Sequence, residues 1–198
     1  MRVHGVGASG SGTTTLGRAL AVRLGGPFFD TDDYFWLTSE PPFQHIRERG
    51  ERQARLGAAL WAQPDWVLSG SLCGWGDVFI PLFDLVVFVW VPPDIRLARL
   101  RARERARYGD AVAPGAPQHD RSEAFMAWAA GYDEGLDVPE RCRRLHETWL
   151  AALPCPVLRI EGMASVEANL ELVSTSLGLT APRRPVTVDP PSGPIGGS

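Results

Sequence analysis

Lysine is absent from this chain of 198 residues: all twenty basic side chains are arginine. Any cation that meets a bound anion must therefore be a guanidinium or a metal ion. The absence accompanies many Arg, Ala, Gly and Pro residues, a compositional bias that by itself assigns arginine no role. Cysteine is scarce. Cys73, Cys142 and Cys155 are odd in number and lack metal-ligand spacing, which suits reduced thiols in a cytosol; Cys155, beside an expected strand, reads as a small core residue. Charge of one sign is nearly balanced, and a formal net charge of -3 offers no general attraction to nucleic acid or anionic lipid. Anion binding must come from a local cluster. The longest apolar run, residues 85–91, is too short to span a bilayer, and no signal sequence is read ahead of the first strand. The expectation is a cytoplasmic protein with no nucleic-acid partner and no membrane partner.

A hydrophobic content of 44% with 22% charged residues is ordinary for one well-cored soluble domain. Short apolar segments at 2–6, 27–30, 66–69, 85–91 and 156–160 read as strands. Helical periodicity is expected over 14–24, 42–63, 93–107, 121–152 (broken at Gly131 or Gly135) and 164–178. Such alternation predicts an α/β domain over 1–179, with a five-stranded parallel sheet covered by helices on both faces. Residues 180–198, rich in Pro, Gly, Ser and Thr without apolar periodicity, are expected to form a disordered tail.

The most informative segment is Gly7-Ala8-Ser9-Gly10-Ser11-Gly12-Thr13-Thr14, which has the G-x-x-x-x-G-x-[ST] frame of a phosphate-binding loop between an expected strand and an expected helix. Its glycines let backbone N–H groups turn inward as an anion nest, and the following helix adds its positive end. Thr14 stands where a hydroxyl completes the coordination of Mg²⁺ on the outer phosphates. Thr13 occupies the usual lysine position, so one charge-assisted hydrogen bond of about 1.5–3 kcal/mol is missing. Nucleotide binding can survive that loss, whereas catalysis is expected to need another cation.

Asp30-Thr31-Asp32-Asp33 follows the second strand, at the sheet edge where ligands bind in open α/β folds. Carboxylates so crowded are stabilised by a cation. Asp30 is a candidate metal residue, Asp32 the candidate to orient or deprotonate an acceptor hydroxyl, and Asp33 a further acceptor-side residue. An acidic helix N-cap explains the same cluster without function. Arg96, Arg99, Arg103 and Arg107 recur at spacings of three and four, on one side of the expected helix. Arg103 and Arg107 are candidate catalytic cations and Arg99 a phosphate-side residue; a solvated arginine-rich helix containing Glu104 is the plain alternative. Residues 108–120, with several Gly and Pro, read as a lid. Gly74, Trp75 and Asp77 after the third strand, with Trp36 and either Arg47 or Arg52, are candidate acceptor-site residues. His146-Glu147 lacks the second histidine of a zinc helix; His4 reads as structural, and Phe125, Trp128 and Trp149 as helix core.

The motif Phe29-Asp30-Thr31-Asp32 resembles the second-strand motif of shikimate-kinase-type small-molecule kinases, and the order of elements over 1–178 resembles the nucleoside-monophosphate-kinase-like P-loop kinases. The combination of GASGSGTTTLGRALA, FFDTDDYFWL, WVLSGSLCGWGD and FDLVVFV is similar to an uncharacterised bacterial group labelled adenylate kinase-related or P-loop ATPase. The resemblance implies a three-layer P-loop NTPase fold, ATP or GTP with Mg²⁺, a small-molecule acceptor, and lid arginines that contact phosphate. Thr13, and Ser69-Gly70-Ser71 where adenylate kinases carry Asp-Gly, depart from that pattern. Phosphoryl transfer to a nucleotide or hydroxyl compound is the expected activity. A non-catalytic nucleotide binder and an NTP hydrolase with a degenerate loop are the alternatives.

Overall fold

The computed structural model describes residues 1–134 and 141–179. The expected tail, 180–198, and the expected break at Gly135 lie outside the described residues. Five parallel strands, β1 (Arg2–Gly7), β2 (Phe28–Asp30), β3 (Trp66–Ser69), β4 (Leu85–Trp90) and β5 (Val157–Glu161), form one sheet in the order β2-β3-β1-β4-β5. The register pairs Gly5 with Ser69 and with Val87, so β1 is central, with its C-terminal end open between β3 and β4.

Alternation of side chains along the strands builds two cores. On one face Val3, Val67, Val87 and Val89 pack against Leu16, Leu20 and Ala21 of α1 (Thr13–Leu24) and Val173 of α7 (Val166–Ser176). On the other, Val6, Leu68, Val86 and Phe88 pack against Leu56 and Leu60 of α3 (Arg49–Trp61) and Leu150 of α6 (Arg143–Ala151). Burial on both faces explains why β4 reads as an unbroken apolar run. The three-layer α/β P-loop fold is thus present. Among the described residues, no helix is long and apolar enough to cross a membrane.

Three elements differ from expectation. Residues 42–48 are not helical: α3 starts at Arg49, with Glu48 accepting from the Glu51 N–H as its cap. Pro41 and Pro42 withhold backbone donors, and the segment instead folds back so that Trp36 bridges Ile46 and the Arg47 N–H donates to the Phe35 carbonyl. The stretch expected as 121–152 divides into α5 (His119–Ala130), capped at Gly131, and α6. After α4 (Pro93–Tyr108), the lid region is a short 3₁₀ turn, Gly109–Val112, closed by the Gln118 N–H on the Ala111 carbonyl and a His119 Nδ1 contact to the Val112 carbonyl.

Candidate active site

The phosphate loop leaves β1 at Gly7 and enters α1 at Gly12. Gly10 adopts φ 81°, and a Cβ there would lie 2.7 Å from the Arg96 carbonyl oxygen, so both conformation and space demand glycine. No side chain caps α1, which leaves its first-turn N–H groups directed toward an anion at the loop. The Ser69 hydroxyl donates to the Thr13 carbonyl at 3.1 Å, tying the start of α1 to the end of β3.

Opposite the loop, Asp30 ends β2 and caps α2 (Thr31–Phe35), accepting the Asp32 N–H at 3.1 Å. Its other oxygen accepts the Thr14 hydroxyl at 3.2 Å. The cap that offered a plain explanation of the acidic cluster and the expected metal pair are therefore the same arrangement. Burial, followed by the charges of Asp32 and Asp33, pushes the Asp30 carboxyl above the usual carboxylate range, while the two hydrogen bonds oppose the shift. A carboxyl raised on folding binds its proton more tightly in the native state, so stability falls as pH rises from its unfolded value through its folded one. We expect Asp30→Asn to raise the apo-protein melting temperature at neutral pH by a few degrees and to abolish any Mg²⁺-dependent stabilisation. Calorimetric melts with and without Mg²⁺ check both effects.

The arginines of α4 separate into two groups. Arg96 does not face the phosphates. It is fully buried, with Nε donating to the Val91 carbonyl, Nη1 reaching the Ser9 and Ala129 carbonyls, and Nη2 paired with Asp133. Its backbone meets Gly10, so it is a structural strut behind the loop. Arg103 and Arg107 line a cavity of about 620 Å³ that runs from the loop to Asp30, Asp32 and the chain beyond β3. Arg99 also lines the cavity, beside the phosphate loop, and reaches the Gly10 carbonyl at 3.4 Å. Arg103 is exposed to solvent yet crowded: burial and then Arg107 lower its pKa, against Glu104, Asp32 and Asp30, which raise it. Arg107 lies 5.0 Å from the Phe43 ring centroid.

On the acceptor side, Trp36 and Trp75 line the cavity, joined through Phe35 at ring separations of 5.0 and 6.0 Å. Arg47 does not: its guanidinium is occupied by the Tyr34 and Trp36 carbonyls and by Glu51, and it holds the 36–47 segment together. Arg52 packs over the Phe35 and Trp75 rings. Asp77 points elsewhere, accepting the Trp149 indole N–H at 2.8 Å, while Gly74 is an exposed turn residue at φ 76° and Asp33 is exposed on α2; none of the three lines the cavity.

Several cavity residues escaped the sequence reading. Phe125 and Trp128, expected as helix core, stack on each other at 5.9 Å and face the cavity. Arg121 donates to the Pro42 and Phe43 carbonyls at 2.6 and 2.9 Å, locking the start of α5 onto the 36–47 segment. Ser71 and Arg141 line the cavity beside Cys73, which lies in the 72–77 stretch expected as acceptor-site lining. Only the position of Ser71 just past a strand hinted at its location. The remaining cavity residues meet through folds of loops that have no periodic signal.

No family model matches the chain. The Bacillus subtilis protein described as "Uncharacterized protein YqaC" is 48% identical over 172 residues, covering 86% of this chain and 94% of that protein. A shikimate kinase from Psychrobacter arcticus is 31% identical over 118 residues, covering 52% of this chain and 60% of the enzyme. Among solved structures, shikimate kinase from Acinetobacter baumannii in complex with shikimate matches with a TM-score of 0.51 at 16% identity, covering 89% of this chain and 93% of that one. That match shows that the two chains share a fold. The identity to the Bacillus protein spans nearly the whole of both chains, and this chain belongs to the YqaC family.

Proposed function

We propose that this protein is a cytoplasmic phosphotransferase that moves the γ-phosphoryl group of ATP, or of GTP, to a hydroxyl or phosphate of a small-molecule acceptor. One observation carries the reading: a single cavity joins the open amides of the phosphate loop to Asp32 and an aromatic wall, with Arg103 between them. The likeness in sequence to part of a shikimate kinase supports the same reaction class.

In this reading residues 7–14, with Arg99 beside them, hold the triphosphate through backbone N–H groups and the positive end of α1. Thr14 and Asp30 would hold Mg²⁺. A hydroxyl next to a raised, cation-seeking carboxylate is a fitting oxygen donor pair for that ion, which keeps most of its shell for water and phosphate. When bound, it neutralises charge on the outer phosphates. Asp32 orients the acceptor hydroxyl and takes its proton. Arg103 and Arg107 supply the charge that lysine supplies in other loops, and a planar guanidinium can bridge two phosphate oxygens at once. Trp36 and Trp75 line the acceptor end.

Thr13 favours a second reading, a nucleotide-binding protein that transfers nothing or releases phosphate only to water. Calorimetric titration with a nonhydrolysable ATP analogue tests the shared premise, and turnover then separates the readings. We expect micromolar binding that requires Mg²⁺, followed by acceptor-stimulated ADP formation. Absence of binding up to millimolar analogue removes both readings, and binding with no acceptor-stimulated turnover leaves the second.

A further inference from the structure

Behind the acceptor end of the cavity three side chains from separate segments form a buried chain. The Ser71 Oγ lies 3.2 Å from His146 Nε2, and the Tyr132 hydroxyl lies 2.8 Å from His146 Nδ1. Ser71 follows β3, Tyr132 follows α5, and His146 belongs to α6. His146 is fully buried and Tyr132 is 3% exposed. Ser71 is the member of the chain that reaches the cavity wall.

The chain has a direction. Burial, then the charge of Arg141, depresses the His146 pKa to about 4 against the pull of Glu147, so the ring is neutral at physiological pH. His4, the other buried imidazole nearby, is held down to about 3 mainly by burial and brings no charge of its own. A neutral imidazole has one donor and one acceptor nitrogen. Burial also keeps the Tyr132 phenol protonated, and among the described residues His146 is the hydrogen-bond partner its hydroxyl has, so we assign the phenol as the donor to Nδ1. The ring proton then sits on Nε2 and is donated to Ser71 Oγ. With that lone pair engaged, the Ser71 proton turns away from His146, toward the cavity and the Cys73 thiol, a weak acceptor that also contacts Ser71.

The backbone is held as firmly as the side chain. The Ser71 carbonyl accepts the Trp75 indole N–H at 3.0 Å, and Gly70, at φ 117°, brings the turn against Thr31 so closely that a Cβ would lie 1.8 Å from its hydroxyl oxygen. Ser71 is thus fixed beside the helix that carries Asp32. The hydroxyl is thus held by His146 on one side and left with the Cys73 thiol and the cavity on the other.

We propose that Ser71 is an acceptor-binding residue, presenting its hydroxyl as a hydrogen-bond donor to an oxygen of the acceptor, and that His146 and Tyr132 are positioning residues that set its direction. The inference rests on the phosphotransferase reading and deepens it: the acceptor carries a hydroxyl, carboxylate or phosphate oxygen that meets the chain just past β3, separate from the oxygen that Asp32 activates.

The test titrates CMP, AMP and shikimate into protein saturated with Mg²⁺ and a nonhydrolysable ATP analogue, for the wild type, Ser71→Ala, Ser71→Thr and Tyr132→Phe. Initial rates with ATP follow for each compound that binds. We expect at least one compound to bind, Ser71→Ala to weaken it about tenfold, and Ser71→Thr to restore most of the loss. Tyr132→Phe should weaken binding by a smaller factor although Ser71 is intact. The loss appears in acceptor KM more than in kcat, and affinity for the analogue does not change. Nitrogen NMR of His146 should show the neutral Nε2–H tautomer in the wild type and a redistributed ring proton in Tyr132→Phe. Equal acceptor binding by Ser71→Ala and wild type overturns the proposal. So do a parallel loss of analogue affinity with a lowered melting temperature, which marks a structural role, and failure of all three compounds on protein that binds the analogue. If the wild type does not bind the analogue, the phosphotransferase reading itself fails and takes this one with it.

Discussion

Asp32→Asn is expected to lower phosphoryl transfer by about 10²–10⁴-fold, the contribution of a positioned proton acceptor, and to leave the affinity for the MgATP analogue within about twofold. The substitution preserves shape. Asp32 contacts Asp30 through its own backbone N–H, so the cap of α2 and the Thr14 contact survive the change of side chain. The carboxylate faces the cavity and belongs to neither the phosphate loop nor the Thr14–Asp30 pair. Single-turnover measurements read the chemical step directly, and calorimetry reads nucleotide affinity. Turnover equal to wild type sinks the assignment. Equal loss of affinity and rate moves Asp32 from the acceptor to the metal.

Arg103→Met is expected to reduce kcat by about 10³–10⁵-fold, the range for an arginine that stabilises charge on a transferring phosphoryl group. Methionine keeps much of the aliphatic stem that packs near Phe125, whose ring centroid lies 5.9 Å from the guanidinium carbon, so the loss reports charge more than packing. The expectation depends on what the loop lacks. With Thr13 at the lysine position and no lysine elsewhere in the chain, side-chain charge for the outer phosphates would have to come from an arginine or a metal ion, and three of the cavity-lining arginines, Arg99, Arg103 and Arg107, belong to α4. Arg103 lines the cavity and feels the charges of both Asp32 and Asp30, which makes it the candidate for that role. Arg103→Lys should recover only part of the rate, since an ammonium cannot bridge two oxygens. Adding Thr13→Lys to Arg103→Met separates two designs: recovery marks a site with one movable charge, and a further loss marks a loop shaped around threonine. Rates unchanged in Arg103→Met return α4 to the plain description, a solvated basic helix.

The cost of the acidic cluster and its use are linked. Asp30, Asp32 and Asp33 stand within four positions, and burial already disfavours the Asp30 charge. In the proposed reading a cation at Thr14 and Asp30 would offset the cost of holding that charge, so stability and Mg²⁺ response are expected to change together in Asp30→Asn.

Periodicity made the scaffold legible. The β4 run, the α1 pattern and the short segments at β1, β3 and β5 are buried by one or both faces, and burial leaves a regular mark on the sequence. The phosphate loop was legible for a different reason: close backbone approach at Gly10 tolerates only glycine, so the conformation is written in the residue type. The arginine pattern was read correctly in spacing but not in direction. Arg96 and Arg103 share a helical face on paper, yet the first turn of α4 lies under α5 and buries Arg96, while Arg103, two turns on, emerges into the cavity. Arg47 and Asp77 show the same limit, because polar side chains predicted for a ligand found partners within the protein.

By itself the sequence determined a parallel α/β domain with a lysine-free phosphate loop and an acidic turn at the end of its second strand, since these rest on local conformation and on burial that recurs along the chain. Only the tertiary structure decided which arginines face the cavity, that Phe43, Arg121 and Trp128 line it together, and that Ser71, Tyr132 and His146 form one chain of hydrogen bonds. Those contacts join residues far apart in sequence through non-repeating loops, and the direction of a side chain there depends on which neighbour packing leaves open.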